Sequence, residues 1–78
     1  MHAVLLGKVR RNGTSKAGKP YDFTACSVSY SAFGVEGVQV SVVLVDSRMI
    51  QFDALQIGDN YDFDFDSKGN LLNVFIED

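Results

Sequence analysis

Tryptophan is absent from this chain, and cysteine, proline and histidine occur once each. A single thiol, Cys26, excludes an intramolecular disulfide framework and points to a reducing compartment; its expected role is that of a small buried apolar residue. The one histidine, His2, leaves any Ser-His-Asp or Cys-His constellation to be built on the first residues, poor material for a rigid catalytic site. No apolar run approaches the ~20 residues that a membrane-spanning helix requires. The short greasy stretch Ala3–Leu6 precedes its positive charges, the reverse of a secretory leader. Helical periodicity of useful length is missing as well. These absences leave the expectation of a soluble, cytoplasmic chain built of strands, with no membrane partner.

The 78 residues make one small domain, residues 1–78, near the lower limit of independent stability. An apolar content of 46% and an aromatic content of 12% exceed what one small core hides. Self-association, most simply as a homodimer, is the expected outlet for that surplus.

Apolar alternation and turn residues divide the chain into five strands. Residues 3–10 form the first, with Gly7 as a bulge or close-approach point. Residues 11–19 read as a loop, because glycines, polar residues and three cations leave nothing to bury. Pro20 opens a second strand over residues 20–31, since it has no N–H to contribute inside a sheet. Residues 32–37 turn into a third strand, 38–46, whose second half (Val42–Val45) is apolar on both faces. Residues 47–59 are irregular, and pattern alone leaves open a helical turn or a strand extension. Tyr61-Asp62-Phe63-Asp64-Phe65-Asp66 alternates cleanly, a turn follows at 67–70, and residues 71–77 close the set. The expected fold is all-β, a small five-stranded antiparallel Greek-key barrel of the OB-fold type, with an SH3-like barrel as the alternative.

Catalytic motifs do not survive inspection. The Gly13–Lys19 stretch matches the Gly-x-x-x-x-Gly-Lys half of a phosphate-binding P-loop, but Pro20 stands where Ser or Thr is needed and no helix follows. Asp62, Asp64 and Asp66 share one strand face, where like charges need water, and no histidine or cysteine is near them in sequence to suggest a metal. No enzyme activity, cofactor or metal is expected.

Charge is the informative feature. Residues 1–21 hold five cations (Lys8, Arg10, Arg11, Lys16, Lys19) and no anion, whereas residues 22–78 hold two cations and all ten acidic residues, for a net charge of −3. A local cationic loop in an acidic protein suits a flexible polyanion, and Tyr21 and Phe23 at its exit supply flat faces for bases. Tyr30 and Phe33 flank the next turn and are candidates for a second stacking position. These residues imply a single-stranded nucleic-acid-binding module that uses Lys8, Arg10, Arg11, Lys16 and Lys19 for phosphates and Tyr21, Phe23, Tyr30 and Phe33 for bases. Single-stranded RNA binding with repression of a messenger is one alternative, and a protein-interaction barrel with an acidic partner is another.

The run Arg11-x-Gly13-x-x-Lys16-x-Gly18-Lys19-Pro20-Tyr21-x-Phe23 resembles the DNA-binding wing of the filamentous bacteriophage single-stranded DNA-binding proteins, the helix-destabilising, gene-five-type family. The resemblance implies an OB-type barrel that forms a two-fold dimer and coats single-stranded DNA during phage replication. It places phosphate contacts at Arg11 and Lys16, the stacking tyrosine at Tyr21 and a DNA-facing apolar residue at Phe23, with Lys19-Pro20 as the motif's own pair. The family's long aromatic loop near the C-terminus has only the short segment Asp66–Asn70 as its counterpart here. The expected dimer contact therefore shifts to Val42–Val45 or Phe75.

Overall fold

The computed structural model describes residues 1–77 and contains five strands: β1 (His2–Thr14), β2 (Pro20–Tyr30), β3 (Gln39–Asp46), β4 (Asn60–Phe65) and β5 (Leu71–Glu77). All paired strands are antiparallel and belong to one sheet of order β3-β2-β1-β4-β5. Three strands in succession followed by a fourth that returns beside the first is the Greek-key order. The return segment is irregular, and its one regular piece is a 3₁₀ turn at Phe52–Ala54.

The sheet curls around a single core of Ala3, Leu5, Cys26, Val28, Val43, Val45, Leu55, Tyr61 and Phe63. Strand period dictates most of this: Cys26 and Val28 of β2, Val43 and Val45 of β3, and Tyr61 and Phe63 of β4 are alternate residues on one face. Leu55, carried by the return segment, plugs the end of the core, and the Tyr61 hydroxyl accepts a hydrogen bond from the Gln56 amide at 2.7 Å. Cys26 is fully buried, and burial raises its thiol pKa, which leaves it chemically quiet.

The barrel is partly open. β3 and β5 are not paired with each other, contrary to the expected closure, and a groove of about 430 Å³ lined by Ser41, Val43, Phe65 and Leu71 separates them. A register shift between Asp64 and Phe65 turns Phe65 partly outward there. Asp66 likewise leaves the acidic strand face: its Oδ1 accepts the amides of Lys68 and Asn70, each at 2.9 Å, and so shapes the β4–β5 turn.

A bulge between Leu5 and Gly7 decides how β1 is used. Before it, Ala3 and Leu5 point into the core; after it, Lys8 and Arg10 occupy that side while Val9 and Arg11 face outward. Leu6 is the extra residue and is exposed.

Candidate nucleic-acid interface

The basic segment is a β-ribbon and not a long loop. Backbone pairing of β1 with β2 continues through Arg11–Phe23, Asn12–Asp22, Gly13–Tyr21 and Thr14–Pro20, so that only Ser15–Lys19 forms the turn. Apolar alternation missed this extension because ladder hydrogen bonds sustain the ribbon where no side chain is buried. At the tip, Ser15 N–H donates to the Lys19 carbonyl at 2.8 Å and Gly18 N–H to the Ser15 carbonyl at 2.9 Å. Gly18 closes the turn at φ 79°, a left-handed position that favours glycine.

Residues that face one another across a ladder share a side of the sheet, so the outer face can be read from register. It carries Gly13, Arg11 and Val9 from β1, Tyr21, Phe23 and Ala25 from β2, and Leu44 and Val42 from β3. Tyr21 and Phe23 stand side by side, their ring centroids 5.9 Å apart and tilted by 35°. Tyr21 remains 42% exposed. Its ring lies across the backbone of Gly13, where a Cβ would be 3.0 Å from the phenol oxygen. Gly13 is thus a bare shelf for the ring.

Next to the two rings, a shallow groove of about 550 Å³ runs over Gly7, Val9, Arg11, Phe23, Ala25, Val42 and Leu44. Val42 and Leu44 are 60% and 58% exposed, although their neighbours Val43 and Val45 are in the core. The doubly apolar stretch of β3 therefore serves the core with one face and floors this groove with the other. Sequence reasoning had the signal, two interleaved apolar rows in Val42–Val45, but not the surface they serve. Asp46 lies opposite Phe23 and would repel a phosphate there; Arg48 forks onto it at 2.9 and 3.2 Å and offsets its charge.

The cations divide into two groups. Lys8 is committed to the fold: its ammonium donates to the carbonyls of Phe52 and Leu55 at 2.7 and 2.8 Å and lies 4.0 Å from the Phe52 ring centroid. Arg10 is on the core side of the sheet and grips Asp22 with two hydrogen bonds, Nε to Oδ1 at 3.0 Å and Nη2 to Oδ2 at 2.6 Å. Ser47 Oγ donates to the same carboxylate at 2.8 Å, and together with Arg10 pulls its pKa down to about 2. This cluster ties the root of the ribbon to the return segment. The assignment of Lys8 and Arg10 to phosphates is accordingly revised: both already hold partners within the chain. Arg11, Lys16 and Lys19 are exposed, and among the described residues none of them pairs with a carboxylate.

The structure does not bring the second aromatic pair to the first. Tyr30 is at the far end of β2, up to ~30 Å from Tyr21 at the rise of a strand, and packs against the core. Phe33 is fully exposed on the β2–β3 turn beyond it. Neither shares a surface with Tyr21 and Phe23.

Comparison of the chain with protein-family models, with curated protein sequences and with solved structures returns no match. The functional reading rests on the ribbon, its rings and its charge.

Proposed function

We propose that this chain is a non-catalytic, sequence-tolerant binder of single-stranded nucleic acid, DNA foremost, that sequesters unpaired strands during replication of the phage type. One observation carries the reading: two neighbouring rings, Tyr21 and Phe23, lie on the same outer face as Arg11, at the root of a turn bearing Lys16 and Lys19. Charge without rings fits any polyanion, and rings without charge fit a protein partner. Both together suit a strand whose bases are unpaired and free to stack. Fixed base-edge recognition is not part of the proposal, because flat rings accept any base.

In this reading Arg11, Lys16 and Lys19 neutralise phosphates while Tyr21 and Phe23 stack on bases, and the apolar floor at Val42 and Leu44 extends the track. Strands β2 and β3 and the β1–β2 turn are also the surface that OB-type barrels use for oligonucleotides. The exposed Val38 and Val40 on the edge strand and its approach support a homodimer of the protein, with Val43 and Val45 excluded from the contact because they are buried and Val42 and Leu44 left to the track.

A fluorescence titration with single-stranded and duplex oligomers at two salt concentrations tests the function. Preference for the single strand, weakening as salt rises, is the expected result; equal affinity for duplex, or no salt response, overturns it. Competition between matched DNA and RNA oligomers decides which strand is preferred.

A further inference from the structure

We propose that His2, Asp62 and Glu77 form a binding site for a divalent ion of the zinc class, on the side of the barrel formed by β1, β4 and β5. The sequence separates these residues widely, and register brings them together. His2 lies directly opposite Asp62 across β1 and β4, and Glu77 lies opposite Asn60, one step along the same face of the sheet. One ligand atom from each of the three falls within 4.8 Å of the others, close enough for one ion to gather them through a small swing of the His2 ring.

The donor set selects the ion. Two carboxylates alone would form an ordinary solvated acidic face, or hold a hard cation weakly. An imidazole nitrogen beside them favours zinc and its borderline neighbours over magnesium and calcium, which take oxygen donors. Asp62 and Glu77 are mostly covered, with side chains 28% and 30% exposed, whereas His2 stands outward at 72%. That arrangement fixes two ligands on the sheet and leaves the third free to swing onto an arriving ion, with a remaining position for water. His2 Nδ1 contacts Glu77 Oε1, and Asp62 Oδ1 accepts a hydrogen bond from the Met1 amino group at 3.1 Å. Asp64, on the same strand face, adds negative charge nearby without reaching the cluster.

The site would tie the start of β1 and the end of β5 across β4. β5 is an edge strand whose Leu72 and Ile76 remain exposed, so it gains most from such a tie. The cations and rings of the ribbon play no part in it.

Untagged full-length protein titrated with zinc chloride in a calorimeter tests the proposal, alongside thermal unfolding with and without the ion. One ion per chain is expected. At a free-zinc concentration about 100 times the dissociation constant, the unfolding midpoint should rise by roughly 10–20 °C. His2→Ala and Glu77→Gln, both at exposed or partly exposed positions, should each weaken binding by at least about tenfold. Asp64→Asn should retain binding, and magnesium should produce no midpoint shift. An absence of zinc binding in the parent protein overturns the site, as does binding undiminished in His2→Ala.

Discussion

Replacing Tyr21 by alanine is the sharpest perturbation of the proposed interface. The ring is 42% exposed, lies 5.9 Å from Phe23 and rests on Gly13, outside the core. A base stacked on such a ring contributes about 1–3 kcal/mol, so its loss should weaken the complex by roughly 5- to 150-fold. The fold should barely register the change. A surface substitution of this kind costs within about 0.5 kcal/mol, a shift of no more than ~4 °C in a domain of this size. Tyr21→Phe keeps the flat face and should bind nearly as the parent protein does.

Gly13 supplies a second handle on the same ring. A Cβ at that position already meets the phenol oxygen at 3.0 Å, and the branches of valine would occupy the space where the ring lies. Gly13→Val should therefore push the ring off its shelf and weaken binding. On a Tyr21→Ala background the further loss should be smaller, because the ring it displaces is gone and only the backbone strain of a side chain at φ 157° remains; the double-mutant cycle isolates that coupling. Anisotropy of a labelled oligothymidylate, with circular dichroism as the check on folding, reads all four proteins. Parent-like affinity in Tyr21→Ala would refute the stacking role. Equal losses from Gly13→Val in both backgrounds would refute the shelf.

Three further outcomes follow from the same geometry. With only Arg11, Lys16 and Lys19 contacting phosphates, the log–log dependence of affinity on salt should have a slope near −2, at about −0.7 per contact; a slope near −3 or steeper would return Arg10 or Lys8 to the interface. Lys8→Met should lower unfolding stability by roughly 1–3 kcal/mol, through the two carbonyls it leaves behind, and leave that salt slope unchanged in the same titration. Asp22 is depressed in the folded protein to about 2, chiefly by its hydrogen bond from Arg10, so its stabilising contribution is fully present above the unfolded carboxylate value of ~3.9 and is lost as pH falls through the folded value. Carbon-detected NMR should accordingly place the Asp22 titration near pH 2, and a midpoint near pH 4 would show the cluster with Arg10 and Ser47 to be loose in solution.

Much of the architecture was legible in the chain, for an identifiable reason. Where one face of a strand is buried, the period of two is written into residue types, and Tyr61-Asp62-Phe63-Asp64 or Cys26-Ser27-Val28 needs no further information. Gly7 also announced its bulge. Two features could not be read that way. The outer half of the ribbon, Arg11–Thr14, buries nothing, so its pairing leaves no apolar trace. The Phe52–Ala54 turn depends on Lys8 donating to carbonyls 44 and 47 residues away, a contact that no local pattern encodes.

The candidate site shows the same boundary from the side of charge. Composition revealed five cations in a row without an anion among them, and treated them as equivalent. What separates them is the strand face: the bulge at Gly7 sends Lys8 and Arg10 to the core side, where Phe52, Leu55 and Asp22 receive them, and sends Arg11 outward beside Phe23. A one-residue slip of β1 would exchange these roles, since every side chain would change sides. Deleting Leu6, the extra residue of the bulge, should not impose it: Leu5 stays opposite Val28 and Gly7 opposite Ser27, so the ladder becomes regular, Lys8 and Arg10 keep the core side and Arg11 stays beside the rings. The Asp22 carboxyl should then still titrate near 2, and nucleic-acid affinity should survive the deletion. An Asp22 midpoint near the ordinary carboxylate value in that variant would show that the ribbon had slipped or unpaired, and that the extra residue, not the pairing beyond it, holds the two faces apart.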